Sequence, residues 1–234
     1  MDGQAIIEII GVLLVAFVVF VLVPLLLLFL FIRYRGGSEE MYQTAEALKS
    51  GTVTELLPWG SASLGELTRE WVGASIYTAN MFGRNDQGAG RVPSRGATSG
   101  WLLAFSMSAK NKGVEGKVLA MTTAHRLELS IEGGLCRVML NGAALGRFRP
   151  GEPGLFGPDG VSLGTYRREL SGGQLVLRGR DVATIDTGTI GASERVESAT
   201  PLVTNLLAAR TPEDEAWTLV VAVHQLAWVG LGVG

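Results

Sequence analysis

The chain has 234 residues, of which 47% are hydrophobic and 18% charged, and its formal net charge is −2. This length predicts one domain with an appendage, and the nearly balanced charge excludes the large basic surface expected of a nucleic-acid-binding protein. The single cysteine, Cys136, excludes an internal disulfide framework and is consistent with a reducing compartment.

An uncharged apolar run extends from Ile9 to Ile32. As a helix it would be about 36 Å long, enough to cross a hydrocarbon layer of about 30 Å with some tilt, and Pro24 would add a kink. A cleaved signal peptide is the alternative, but it would need a basic head and a shorter apolar core, whereas Asp2 and Glu8 precede this run. The run is therefore predicted to be a transmembrane anchor.

The two arginines after the run, Arg33 and Arg35, determine the predicted orientation. By the positive-inside rule, the short N-terminus lies outside and residues 33–234 lie in the cytoplasm, as in a single-pass membrane protein. The predicted organisation is an anchor over 1–35, a linker with short helices over 36–70 and a β domain over 71–234.

Two short helices are predicted in the linker. The first extends from Glu39 to Lys49 and is closed by Ser50 and Gly51. The second extends from about Ser63 to Trp71, because Ser63 and Glu66 have the spacing of a capping box.

From Trp71 onwards apolar residues alternate with polar ones, which predicts strands. Phe82 to Gly100 is rich in Gly, Ser and Arg and is predicted to be a long loop. The predicted strands are Trp71 to Ala79, Trp101 to Met107, Val118 to Met121, Leu127 to Ile131 and Cys136 to Leu140.

A repeat follows, in which Gly142, Gly160 and Gly179 each begin the pattern Gly, two variable residues, Leu or Val, a small residue, one further residue and a bulky apolar one. Asn141 before the first glycine is the signal of a type I′ turn, in which both central residues have positive φ, and Asp159 is its equivalent in the second copy. Each copy is therefore predicted to be a two-stranded hairpin that needs a partner for its apolar face.

Residues 212–229 are predicted to form a helix buried on every side. Thr211 suits the N-cap, Pro212 the first helical position and Asp214 the third position of a capping box, and the apolar residues that follow leave no polar stripe. A meander of hairpins is predicted to close into a barrel around this helix. The alternative, a second membrane span, would place His224 and Gln225 near the middle of the bilayer, where polar side chains are costly.

Hairpins with Gly-x-x-[Leu/Val]-[Gly/Ala] turns, followed by a hydrophobic C-terminal helix, resemble the tubby-like superfamily over residues 71–230. This superfamily includes the tubby C-terminal domain, the phospholipid scramblases and the LURP-one-related proteins. The resemblance implies a mainly β fold, an antiparallel meander closed into a barrel around the C-terminal helix. It also implies that basic side chains on the barrel wall bind phosphoinositide headgroups.

The residues that would indicate catalysis lack the necessary partners. His125, His224 and Cys136 have no spacing typical of a metal site, and no nucleotide-binding or nucleophile motif is present. We interpret His125 as a turn residue, His224 as a hydrogen-bonded core histidine and Cys136 as a small core hydrophobe. The sequence thus predicts no cofactor, no metal and no enzymatic activity.

Arginines provide the candidate binding residues, because their planar side chains suit phosphate recognition. The predicted loop after the first strand contains three arginines, which are the lipid-headgroup candidates: Arg84, Arg91 and Arg95. The alternative is that these arginines are ordinary solvated charges. Further arginines lie beside the hairpins, at positions Arg147, Arg149, Arg167, Arg168, Arg178 and Arg180.

These features predict a membrane-anchored, tubby-like binding or scaffolding module at the cytoplasmic membrane surface that recognises anionic lipid headgroups. Its expected partners are the membrane and either an anionic phospholipid or a protein, but not nucleic acid. One alternative is a scramblase-like protein that transports lipid, and another is a structural subunit of a membrane assembly.

Overall fold

A computed structural model describes residues 18–25, 43–80, 83–95, 99–110, 114–168, 172–186, 191–192 and 200–229. The chain divides into two compact units, Met1–Glu39 and Glu40–Gly234.

In the first unit, Val18–Leu22 form a π-helical segment that continues as α-helix to residue 25, and the side chains of residues 18–25 are exposed. The rest of the predicted anchor, residues 9–17 and 26–32, lies outside the described residues. No helix within the described ranges combines the length and apolar character that a membrane crossing requires.

The second unit is built on one 13-stranded sheet. It also contains helix α1 over residues 43–50, α2 (Ser63–Glu66) and α3 (Pro212–Val229). The strands are β1 (Glu70–Asn80), β2 (Gly83–Pro93), β3 (Trp101–Lys110), β4 (Glu115–Met121), β5 (Arg126–Glu132), β6 (Leu135–Leu140), β7 (Ala143–Phe148), β8 (Gly154–Phe156), β9 (Ser162–Arg168), β10 (Gly173–Leu177), β11 (Arg180–Ile185), β12 (Gly191–Ala192) and β13 (Val203–Thr204).

The sheet is an antiparallel meander, as the alternating pattern predicts. Strands β1 to β11 are hydrogen-bonded in sequence order, β13 pairs antiparallel with β11, and the two-residue β12 lies parallel to β1 at the other edge. The fold is therefore mainly β with a C-terminal helix, which confirms this part of the predicted class.

The predicted closure into a barrel is wrong, because β12 and β13 end the described sheet at opposite edges and do not pair. Residues 200–204 join the two edges instead: the N–H of Arg69 donates to the carbonyl of Thr200 at 3.0 Å, and the N–H of Asp186 donates to the carbonyl of Leu202 at 2.7 Å. Only two of these residues, Val203–Thr204, form a strand, so the described sheet is not closed by regular strand pairing. An ion pair between Arg69 and Asp186 at 3.1 Å links the same edges.

Helix α3 occupies the core, with the predicted bounds. Asp214 accepts a hydrogen bond from the N–H of Thr211 at 2.8 Å, and the Thr211 hydroxyl accepts one from the N–H of Asp214 at 3.2 Å, so the predicted capping box is formed with aspartate. Residues 216–228 are all buried. Trp217 lies against Gly146 of β7 and Trp228 against Gly116 of β4, so strands from different parts of the meander cover the helix. The helix is therefore a core element rather than a second membrane span.

The predicted loop from Phe82 to Gly100 is wrong over most of its length, because Gly83–Pro93 form β2. Each edge of β2 is paired, with Gly90 opposite Gly73 on β1 and opposite Phe105 on β3. A Cβ atom at Gly90 would lie 2.2 Å from the Trp71 ring. The glycine there makes room for a buried indole, so the composition reflects close packing rather than a flexible chain.

Two of the three predicted repeat hairpins have type I′ turns. The φ angles are 52° and 82° at Asn141 and Gly142, and 51° and 74° at Arg178 and Gly179. The second copy differs, since β8 and β9 are joined by residues 157–161. There the N–H of Gly160 donates to the carbonyl of Gly157 at 3.0 Å, because Pro158 favours a turn that begins one residue earlier than the predicted Asp159-Gly160 turn.

The two helices that precede the sheet belong to the second unit. Helix α1 buries Leu48, whereas residues 39–42 of the predicted helix are not among the described ones. Helix α2 ends at Glu66 instead of Trp71, because Leu67 is extended and pairs with Ser94. The predicted capping box of α2 is absent, since Ser63 Oγ accepts a hydrogen bond from Gly60 N–H at 2.9 Å.

Candidate functional site

A cavity of about 570 Å³ opens beside the C-terminal half of α3. The β7–β8 connection, residues 149–153, borders it on one side, and the end of β9 borders it on another. We call this cavity the α3 pocket; it is lined by Phe148, Arg149, Pro150, Gly151, Glu152, Pro153, Leu155, Tyr166, Arg167, Arg168, Val221, His224 and Gln225.

Part of the wall is apolar. Phe148 is the last residue of β7, Leu155 is the central residue of β8, and Val221 faces them from α3; all three side chains are buried. Alternation along the strands places Phe148 and Leu155 towards the core, and they form a cross-strand pair. The pocket therefore offers apolar surface at the point where the sheet meets the helix.

Two adjacent polar residues of α3 line the same pocket. The side-chain amide of Gln225 lies 3.3 Å from Nδ1 of His224. Because an amide nitrogen can only donate, Nδ1 accepts, and the proton of the neutral ring is on Nε2. The ring is held in place by stacking on Trp228, with centroids 5.3 Å apart, and by an edge-to-face contact with Phe148 at 5.1 Å.

Three buried polar atoms of this pocket have no hydrogen-bond partner among the described residues: His224 Nε2, Gln225 Oε1 and the Tyr166 hydroxyl. Burial of an unpartnered polar group is costly, and such atoms in a native protein normally bind water or a ligand. The residues that line the pocket thus include one N–H donor, one carbonyl acceptor and one hydroxyl that are buried without a partner among the described residues.

These groups are uncharged at neutral pH. Burial, together with the positive charge of Arg168, lowers the pKa of His224 to about 4. Burial also raises the pKa of Tyr166, although Arg168 opposes this shift, so the phenol keeps its proton. The interior of the pocket therefore presents neutral hydrogen-bonding groups.

The rim of the pocket carries positive charge. Arg149, Arg167 and Arg168 are exposed, and none of them forms an ion pair with a described acidic side chain. Among the described residues of the lining, Glu152 is the only acidic one, and it is also exposed. Three guanidinium groups against one carboxylate favour an anionic group at the opening.

The structure does not bring the three predicted headgroup residues together in one pocket. Arg84 is opposite Ala79 at one end of β2, and its side chain is outside the described part of the structure. Arg91 is seven residues further along the strand, which corresponds to about 23 Å. Its guanidinium lies 4.0 Å from Glu55 and 6.0 Å from the ring centroid of Trp101.

Arg95 lies two residues after the end of β2 and is exposed. Its backbone N–H donates to the carbonyl of Glu66 at 3.0 Å. The residues that do converge, Arg149, Arg167 and Arg168, were only part of a longer series of arginines in the sequence. These three arginines lie together because β7 and β9 end beside α3, and no local sequence motif indicates that contact. The sequence also does not indicate that His224 and Gln225 line the pocket, because both lie in a helix whose pattern predicts only burial.

His125 and Cys136, the other candidate reactive residues, pack against neighbouring side chains as structural residues do. The His125 ring lies edge-on to Trp59 with centroids 5.8 Å apart, and burial lowers its pKa despite the charge of Glu215. Cys136 is buried in β6, and burial raises its pKa to about 12. Across the described ranges, no group of three His, Cys, Asp or Glu side chains could hold a metal ion.

Comparison of the chain with protein-family models, curated proteins and solved structures found no match.

Proposed function

We propose that the protein is a membrane-anchored binding module that recognises anionic lipid headgroups at the cytoplasmic membrane surface. The observation that carries this proposal is the rim of the α3 pocket, where Arg149, Arg167 and Arg168 converge without described ion-pair partners. Arginine suits this role because its planar fork can hold two phosphate oxygens at once.

Membrane attachment is supported by the uncharged run from Ile9 to Ile32 and by the arginines that follow it. The described part of this run is helical, and its apolar side chains, such as Phe20, are exposed. A membrane anchor would keep the pocket close to an anionic leaflet, where each nearby basic residue contributes about 1 kcal/mol to attraction. Binding would therefore weaken as salt is added.

The resemblance to the tubby-like superfamily supports the same proposal, since an antiparallel meander packed around a C-terminal helix is the part of that architecture present here. A binding function also fits the lining better than catalysis does, because its interior groups are neutral and lack a paired base or nucleophile among the described residues. Neither the scramblase-like alternative nor a structural subunit is favoured by a specific feature of the described residues.

The test uses the full chain in phosphatidylcholine nanodiscs, mixed with vesicles of phosphatidylcholine or of phosphatidylcholine and phosphatidylserine. We expect co-flotation only with the anionic vesicles, and we expect R149A/R167A/R168A to lose at least tenfold in apparent affinity. The control is R84A/R91A/R95A, which removes the same charge from the other candidate residues. Equal losses in both variants, with both still folded by thermal unfolding, would indicate general charge attraction and contradict the proposed site.

A further inference from the structure

We propose that the α3 pocket binds a single-chain anionic lipid, with the acyl chain inside, the ester and hydroxyl on His224, Gln225 and Tyr166, and the anionic group at the arginine rim. A lysophosphatidate, which has one acyl chain, one glycerol hydroxyl and one phosphate, has this chemistry. The inference rests on the proposed function, because it assigns the anionic group to the same arginines.

The size of the pocket favours a ligand that enters it over a headgroup that only touches the rim. Its volume of about 570 Å³ is within the range, about 300–1,000 Å³, of cavities that enclose a small molecule. A phosphate held at the rim would leave Phe148, Leu155 and Val221 facing an unfilled space. One acyl chain would cover these apolar side chains, whereas a second chain would require additional volume.

The neutral polar groups match the linkage between chain and phosphate. His224 Nε2–H can donate to an ester carbonyl, and Gln225 Oε1 can accept from a glycerol hydroxyl. The Tyr166 hydroxyl can donate or accept beside them. A bound linkage would give hydrogen-bond partners to three buried atoms that otherwise have none among the described residues.

The rigidity of the polar groups also favours a defined ligand. The His224 ring is held between Trp228 and Phe148, and its Nδ1 is occupied by Gln225. Nε2 is therefore fixed in direction before binding, which reduces the entropy lost when a ligand is ordered. A surface that attracts any anion through charge alone would not need this arrangement.

The experiment measures binding of labelled glycerol 3-phosphate and of hexanoyl, octanoyl and decanoyl lysophosphatidate to the full chain in phosphatidylcholine nanodiscs, with empty nanodiscs subtracted. We expect affinity to rise about fourfold for each methylene that the pocket buries, which corresponds to about 0.8 kcal/mol, and to level off when it is full. R149A/R167A/R168A should weaken binding of all three lysophosphatidates by the same factor.

Two matched valine substitutions test whether the acyl chain binds inside the α3 pocket. V221F fills the pocket and should remove the gain with chain length, whereas V161F introduces the same side chain on the exposed β8–β9 connection and should keep it. If V221F does not fold, the chain-length series on the unmodified protein still decides the question.

Glycerol 3-phosphate binding as tightly as decanoyl lysophosphatidate would overturn the inference and leave the proposed headgroup function in place. Absence of both lysophosphatidate binding and flotation with anionic vesicles would overturn the two together. A chain-length gain that V161F and V221F lose equally would also contradict the inference, because it would place the chain outside the α3 pocket.

Discussion

Arg180 and Asp214 join the β10–β11 hairpin to the first turn of α3, with Nη2 of the arginine 3.0 Å from Oδ2 of the aspartate. The Asp214 side chain is only 2% exposed, and it also accepts the hydrogen bond from the Thr211 N–H. The neighbouring pair, Arg178 and Glu213, joins the same two elements at 2.6 Å, but its side chains are 64% and 35% exposed. The same connection is thus made twice, once through a buried carboxylate paired with an arginine that is 44% exposed, and once between two side chains at the surface.

We expect D214A to lower the free energy of unfolding by about 1–2 kcal/mol, because it removes the carboxylate of the capping box, while the Arg180 side chain, which is 44% exposed, can be solvated by water. The matched control, E213A, breaks the exposed pair and should cost less than about 1 kcal/mol. Denaturant unfolding of the full chain in a mild detergent measures both changes. Equal losses would show that the buried Asp214 carboxylate has no special role in holding the helix.

The pH dependence of stability should be dominated by His224 between about pH 6.5 and pH 4. Burial lowers its pKa from 6.5 to about 4, so the unfolded chain binds a proton in this interval that the folded chain does not. The free energy of unfolding should therefore have its full value above about pH 6.5 and fall by about 3 kcal/mol as the pH decreases towards 4.

The variant H224Q should flatten this part of the profile, because glutamine does not titrate. H125Q is the control, since His125 is only partly buried and its variant should keep most of the slope. The measurement is the midpoint of denaturant unfolding at a series of pH values. A wild-type slope that H224Q leaves intact would mean that another group titrates in this interval.

The sequence predicted those elements whose signals are local. The capping residues Thr211 and Asp214 fix the start of α3, and the alternating pattern identifies β1 and β3 to β6 in approximately the observed positions. Asn141 and Gly142 predict their turn because both residues must adopt positive φ.

The errors concern relationships between distant residues. The glycine at position 90 is explained only by its contact with Trp71, which lies 19 positions earlier in the chain, so the local sequence predicts a loop where β2 is found. The predicted closure of the sheet fails at residues 200–204, whose hydrogen bonds with Leu67 and Asp186 are not indicated by any periodic pattern in the sequence. The α3 pocket requires the ends of β7 and β9 to meet the helix, and residue types alone do not contain that information.

The contact between Gly90 and Trp71 provides a test of β2. A Cβ atom at position 90 would lie 2.2 Å from one ring atom of Trp71 and 2.7 Å from another. Because Trp71 is fully buried and opposite the same strand, G90A should destabilise the protein by about 1–3 kcal/mol through overpacking. The control G65A adds a methyl group where no atom lies within 4 Å, and it should have little effect or stabilise α2 slightly. Thermal unfolding compares the two variants, and a neutral G90A would contradict the close packing of β2 on Trp71.

The reactivity of the single cysteine tests the core around β6. Cys136 is fully buried, and burial raises its pKa to about 12, so almost no thiolate is present at neutral pH. Iodoacetamide should therefore modify the folded protein far more slowly than the protein unfolded in denaturant, and mass spectrometry can follow the reaction because no other cysteine is present. In the control C136A/M139C, the thiol occupies a position whose native side chain is 40% exposed on the same strand, and it should react readily without denaturant. Rapid modification of the native protein at Cys136 would mean that β6 opens frequently, since a thiol held in this core reacts only when the strand separates from its neighbours.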